Sequence, residues 1–192
     1  NNAGLVYVQR LVDTPEEAVR AIVDVNILSY IWMVREFLGP MKERNAGHIV
    51  TISSLSAHAA LPNASIYAAS KWAVTGSFAE SMRFEIQKEG FDNIHFTTVC
   101  PSFLDNMKVA LQPSGMKTCM RIEEVAARTI TAVRRNKVMI CLPDYEFYLC
   151  MLCKLWPTKV SDWGYKLYLG EGMRSVQELI GRYDPIIKDT VK

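Results

Sequence analysis

The chain has 192 residues, of which 49% are hydrophobic and 22% charged, with a formal net charge of +2. That length supports one domain with a substantial core. The weak, scattered basic charge argues against a nucleic-acid partner, and no apolar run approaches the ~18 residues that cross a bilayer.

In chain order, Asn1-Asn2-Ala3-Gly4 reads as a turn following a strand that precedes the given sequence. The abrupt start, without Met, suggests an N-terminally truncated fragment. Thr14-Pro15-Glu16-Glu17 is a helix start: a capping Thr, Pro at the first position, then acids in the first turn. That helix is expected to reach about Phe37, ahead of Gly39-Pro40. His48 to Ser54 reads as a buried strand. A second helix is expected from Ser65 to Lys88, stopping at Gly90, and His95 to Pro101 is a second strand. A third helix spans Ile122 to Arg135, and Lys137 to Pro143 is a third strand.

The strands are nearly continuously apolar or β-branched and end at turn residues or proline. This is the pattern of a parallel sheet covered on both faces. The alternation with helices gives an α/β fold, a doubly wound parallel sheet. Ligands of such sheets bind beyond the C-terminal ends of the strands, here near Ser54, Pro101 and Pro143. After Pro143, the run Tyr145 to Trp156 is aromatic and apolar. It is compatible with a core helix, a lid over a lipophilic substrate, or a helix lying in a membrane interface. Ser161 to Lys192 reads as one more helix or a loose end. Residues 1–143 thus form a catalytic half-fold, and residues 144–192 a C-terminal lid or membrane-facing extension.

The five cysteines, an odd number among apolar neighbours, read as reduced thiols in a cytosol-facing protein. Cys150 and Cys153 form a CxxC, which reads as helix packing. The CxxC has no second ligand pair, the three histidines (His48, His58, His95) have no metal-like spacing, and no metal site is expected. The sequon Asn63-Ala64-Ser65 is taken as chance.

Tyr67-Ala68-Ala69-Ser70-Lys71 carries the strongest chemical signal. Residues i and i+4 of a helix share a face. An ammonium there would lower the phenol pKa from its reference of ~10 and fit Tyr67 for proton transfer to or from an alcohol oxygen. Ser54 ends a strand 13 residues earlier, where a hydroxyl can polarise that oxygen; Ser53 and Ser56 compete for this part. Asn26 is an amide inside a helix, which needs a partner if buried.

The order and spacing of Asn1-Asn2-Ala3-Gly4, Asn26, Ser54 and Tyr67-xxx-Lys71 resemble the motif set of the short-chain dehydrogenases/reductases. The segments Met41 to Thr51 and Val99-Cys100-Pro101 resemble the group of membrane-associated retinol dehydrogenases and 17-beta-hydroxysteroid dehydrogenases. The resemblance implies the C-terminal half of a Rossmann-like fold, three main strands with flanking helices, and NAD or NADP as cofactor. It implies Tyr67 as general acid/base, Lys71 tuning it and holding the nicotinamide ribose, Ser54 orienting the substrate oxygen, and Asn26 anchoring a water in the proton relay. Asn1, Ala3 and Gly4 would line the cofactor cleft, and Pro101, Leu104 and Asn106 the nicotinamide side. The family pattern Pro-Gly followed by Thr is departed from at Pro101-Ser102 and at Asp105-Asn106.

The implied activity is interconversion of a lipophilic alcohol (retinol, a steroid or a long-chain alcohol) and its carbonyl. The implied partners are a lipophilic substrate and a second copy of the chain, docked through the helices of Asn26 and Tyr67. The implied location is the endoplasmic reticulum membrane or a lipid droplet surface. The glycine-rich βαβ unit that binds the pyrophosphate is absent from the given residues, so these 192 residues alone are expected to be inactive. An exposed sheet edge is expected at His48 to Ser54. The alternative reading is a non-catalytic lipid-surface or scaffold protein that retains the fold.

Overall fold

The computed structural model describes residues 1–105 and 119–169, and for residues 165–169 the backbone alone. The first helix begins at α1 (Glu16–Val23), passes through a π-helical turn at Asp24–Leu28 and continues as α2 (Ser29–Glu43). Its expected cap is corrected. Pro15 is the residue before the helix, and the Thr14 hydroxyl donates back to Arg10 O at 3.0 Å. The helix also outruns the expected stop at Phe37, continuing through Pro40, because Leu38 and Met41 still pack against the core. It ends beside Asn45, whose φ of 44° is the left-handed conformation that closes helices.

β1 (Gly47–Ile52) is followed by a tight turn at Leu55–Ala57 and by α3 (Ser65–Trp72). A second π-helical turn, Ala73–Ala79, joins α3 to α4 (Glu80–Lys88). Gly90, at φ 87°, closes that helix at the expected residue. β2 (Ile94–Pro101), α5 (Ile122–Arg134) and β3 (Met139–Leu142) complete the alternation. α6 (Asp144–Leu155) and α7 (Thr158–Leu169) follow. Of the tail read as one more helix or a loose end, Ser161 to Lys192, the part beyond residue 169 lies outside the described residues.

The sheet is parallel in the order β1-β2-β3, with Gly47 opposite Ile94 and Cys100 opposite Cys141. This is the expected α/β arrangement. β2 is central and carries the buried row Phe96, Thr97, Thr98, Val99 and Cys100. One apolar core joins Tyr30, Val34, Ile49, Val74, Ile86 and Phe96 beneath the long helices. A second joins Val99, Val125 and Leu142 under α5. Burying such side chains stabilises by about 1.5–3 kcal/mol each before entropy is charged.

The expected open edge of β1 is partly covered. The Asn1 amino group donates to Val50 O at 2.7 Å, and Ile52 N donates to Asn1 O at 2.9 Å. The start of the chain thus occupies the position of a fourth strand at the C-terminal end of β1. The aromatic run of α6 divides between the readings offered for it. Glu146, Cys150 and Cys153 are buried, whereas Tyr148, Leu152 and Leu155 are exposed. No helix among the described residues is long and apolar enough to cross a membrane.

Candidate active site

Ser54 follows β1 by two residues and caps the turn behind it, its Oγ accepting from Ser56 N at 3.1 Å. Consecutive extended residues face opposite ways, which separates the serines. Ser53 is buried against α3, its hydroxyl donating to Lys71 O at 3.3 Å and accepting from Thr75 Oγ1. Ser54 and Ser56 instead lie near the Tyr67 phenol, close enough that both hydroxyls act to lower its pKa. The pattern had left these three residues as competitors; pleat alternation removes Ser53, and Ser56 joins the site as a residue the motif reading did not assign.

Tyr67 and Lys71 lie on one face of α3 as the spacing implies, with Lys71 Nζ 5.7 Å from the Tyr67 ring centroid. The ammonium donates to Ile52 O at 3.1 Å, so it reaches under the tyrosine to the last residue of β1. The electrostatics differ from expectation. Burial pushes the Tyr67 phenol above its ordinary value of 10.0, and the nearby Ser54 and Ser56 hydroxyls only partly oppose it. The ammonium is drawn to a backbone carbonyl and flanks the ring, and desolvation of a phenolate dominates. Burial likewise lowers Lys71 from 10.5.

Asn26 is buried within the first π-helical turn, a local irregularity common at functional sites. Its Oδ1 accepts from Leu5 N at 2.8 Å, and its Nδ2 donates to Leu5 O at 2.9 Å and to Ser70 Oγ at 2.8 Å. Ser70 in turn donates to Tyr67 O at 2.7 Å. The amide therefore spends both protons on binding the N-terminal segment to the turn of α3 that carries the pair. Gly4 lies in the same place: a Cβ there would come 3.2 Å from Lys71 Nζ and 3.6 Å from Asn26 Oδ1.

Asn1, Ala3 and Gly4 thus run past the end of β1, beside Lys71. Pro101 ends β2, and Leu104 bridges to Met120 just beyond it. Asn106 lies outside the described residues. Ser102, where the family pattern has Gly, donates its hydroxyl to the buried Glu146 carboxylate of α6 at 2.5 Å. Glu146 was not singled out by any sequence motif.

Behind Tyr67, on the core side, Cys100, Cys141 and His58 meet. The Cys100 thiol is drawn down, mostly by hydrogen bonding with Cys141 and then with His58, while Cys141 is pushed up by the same bond. None of the five cysteines forms a disulfide. Cys150 and Cys153 sit three apart on the buried side of α6, as packing requires.

A family model for short chain dehydrogenases matches residues 1–126. Among curated proteins, the chain is 33% identical over 161 residues to human 17-beta-hydroxysteroid dehydrogenase 13, covering 84% of this chain and 53% of that protein. It is 28% identical over 159 residues to human estradiol 17-beta-dehydrogenase 11, covering 83% and 53%. It therefore spans about half the length of the curated relatives it matches. A crystal structure of a short chain dehydrogenase/reductase from Burkholderia phymatum in complex with NAD superposes with a TM-score of 0.68 at 22% identity, over 80% of this chain and 63% of that one. With the family model spanning well over half the chain and the parallel sheet matching in three dimensions, this chain belongs to the short-chain dehydrogenase family.

Proposed function

We propose that the complete gene product is an NAD- or NADP-dependent oxidoreductase that interconverts a lipophilic alcohol, a steroid, retinoid or long-chain alcohol, and its carbonyl. The observation that carries this reading is the convergence of the Tyr67 phenol, the Ser54 hydroxyl and the Lys71 ammonium at the C-terminal end of β1. Parallel sheets of this type present their ligand sites there.

The residues suit the cofactor the family uses. Among the described residues Lys71 has one hydrogen-bond acceptor, Ile52 O, and an ammonium has three protons to give. The side of Lys71 toward Gly4 is kept free of a Cβ, which leaves room for ribose hydroxyls. A bound nicotinamide supplies the acceptor or donor of hydride. Tyr67 takes the proton from the alcohol oxygen during oxidation and returns it during reduction. Ser54 donates to that oxygen as negative charge builds there. Lys71 stabilises the phenolate and passes the proton onward. Asn26 holds Leu5 and Ser70 so that Tyr67 and Lys71 keep their spacing, a positioning role.

The 17-beta-hydroxysteroid dehydrogenase relatives favour a steroid-like alcohol, and the exposed apolar side chains Tyr148, Leu152, Leu155 and Trp156 on and just after α6 favour a lipid surface as its source. A homodimer is supported by exposed Trp32, Met33 and Phe37 on α2 and Phe84 on α4. The 192 residues carry no glycine-rich pyrophosphate turn, so a polypeptide of only these residues should bind dinucleotide poorly and turn over nothing. The test is NAD+- and NADP+-linked oxidation of estradiol, retinol and a long-chain alcohol by the complete gene product, beside the 192-residue polypeptide. Turnover by the former alone supports the reading. Turnover by neither favours a scaffold that kept the fold, and turnover by the short polypeptide contradicts the phosphate-turn argument.

A further inference from the structure

His58, Cys100 and Cys141 are far apart in sequence, yet their ligand atoms all lie within 4.8 Å of one another, and all three residues are buried. Strand register accounts for the two sulfurs. Cys100 and Cys141 are directly paired across β2 and β3, so their side chains leave the sheet on the same face. His58 ends the turn after β1 and brings Nε2 to 3.7 Å from Cys100 Sγ. Its ring is held edge-on by Phe147 at 5.0 Å and Trp72 at 6.1 Å.

We propose that His58, Cys100 and Cys141 bind one zinc ion, which clips the loop after β1 to the ends of β2 and β3. The donor set decides the metal class. Two sulfurs and an imidazole with no carboxylate among them suit soft or borderline cations and reject calcium and magnesium. Charge then favours a dication, since two thiolates cancel Zn2+ and leave the buried site neutral. Geometry agrees. Tetrahedral zinc with bonds of about 2.3 Å to sulfur and about 2.0 Å to nitrogen sets these donors about 3.5–3.8 Å apart, so the observed spacing needs only a small contraction. Binding releases two thiol protons, with no redox change.

An entry route exists. A groove of about 410 Å³ reaches His58 between Thr75, Phe147, Met151 and Lys154. His58 lies four residues after Ser54, so the clip would stiffen the loop that carries the candidate substrate-orienting hydroxyl. The proposal does not depend on the dehydrogenase activity.

The test is titration of the purified protein with Co2+ as a spectroscopic probe, followed by Zn2+ competition. One equivalent of cobalt should give thiolate-to-metal charge transfer and tetrahedral visible bands, displaced by one equivalent of zinc. Cys100→Ser and Cys141→Ser should each weaken binding by about 100-fold or more, while Cys119→Ser and Cys150→Ser should leave it intact. Zinc-edge X-ray absorption of the wild-type protein, which does not depend on variants folding, should give two sulfur neighbours and an imidazole. Absence of micromolar binding by folded protein, a spectrum unchanged in Cys141→Ser, or a sulfur count other than two would overturn it.

Discussion

The Asn26 side-chain amide donates to Ser70 Oγ at 2.8 Å across 44 residues of sequence, and Ser70 passes the bond on to the backbone carbonyl of Tyr67. One buried amide therefore fixes the helical turn that carries both the phenol and the ammonium, while its remaining contacts hold Leu5.

Replacing Asn26 by Leu keeps the volume and strands these partners. The expected cost is about 2–3 kcal/mol, given the desolvation penalty of unpaired groups, read as a fall in melting temperature. Asn26→Asp keeps the acceptor for Leu5 N and loses both donors, so it should fall between wild type and Asn26→Leu. An Asn26→Leu melting temperature equal to wild type would show that the network carries no stability.

Gly4 tests positioning without replacing either member of the pair. A methyl group there would stand 3.2 Å from Lys71 Nζ, so the ammonium must move. Gly4→Ala should lower kcat of the complete gene product by about tenfold or more, with stability changed by less than about 0.5 kcal/mol. Unchanged kcat would place the cofactor-side cleft elsewhere.

Burial gives Tyr67 and Lys71 opposite titration behaviour. In the cofactor-free protein, Tyr67 should titrate above 10.0, measured by tyrosine carbon resonances assigned with Tyr67→Phe. A raised folded value means that the neutral phenol stabilises the fold. That contribution is full below pH 10.0 and is lost as pH rises through the higher folded value. A Tyr67 resonance titrating below 10.0 would contradict this.

Lys71 has a folded value below its reference of 10.5, so the charged form costs stability at neutral pH and the cost is relieved as pH rises toward 10.5. Lys71→Met should therefore compare best with wild type near pH 7. Its relative stability should decline as pH climbs through the lowered Lys71 value. Tyr67 titrates in both proteins and largely cancels. Melting curves at pH 7 and pH 10.5 check the direction, and a constant difference would remove the burial argument.

The sheet was legible because its strands are apolar on both faces and the helix before β2 carries a clear stop at Gly90. What sequence patterns missed was tertiary. The π-helical turns at Asp24–Leu28 and Ala73–Ala79 have no local signature, and the helix through Pro40 persists because packing of Leu38 and Met41 outweighs one lost backbone bond. Tyr67 and Lys71 were readable from helical spacing, yet the direction of the tyrosine shift was not, because it depends on burial that spacing does not report. The meeting of His58 with Cys100 and Cys141 depends on the register of β2 against β3. The only hint in the sequence was that both cysteines stand near the proline ends of neighbouring strands.

The most direct measurement is the turnover of Tyr67→Phe in the complete gene product, with a steroid alcohol and saturating cofactor. The account predicts a loss of about 100- to 10,000-fold in kcat, with melting temperature and cofactor affinity close to wild type. Turnover within about threefold of wild type, at unchanged fold, would contradict it, because a ring without its hydroxyl has no proton to move.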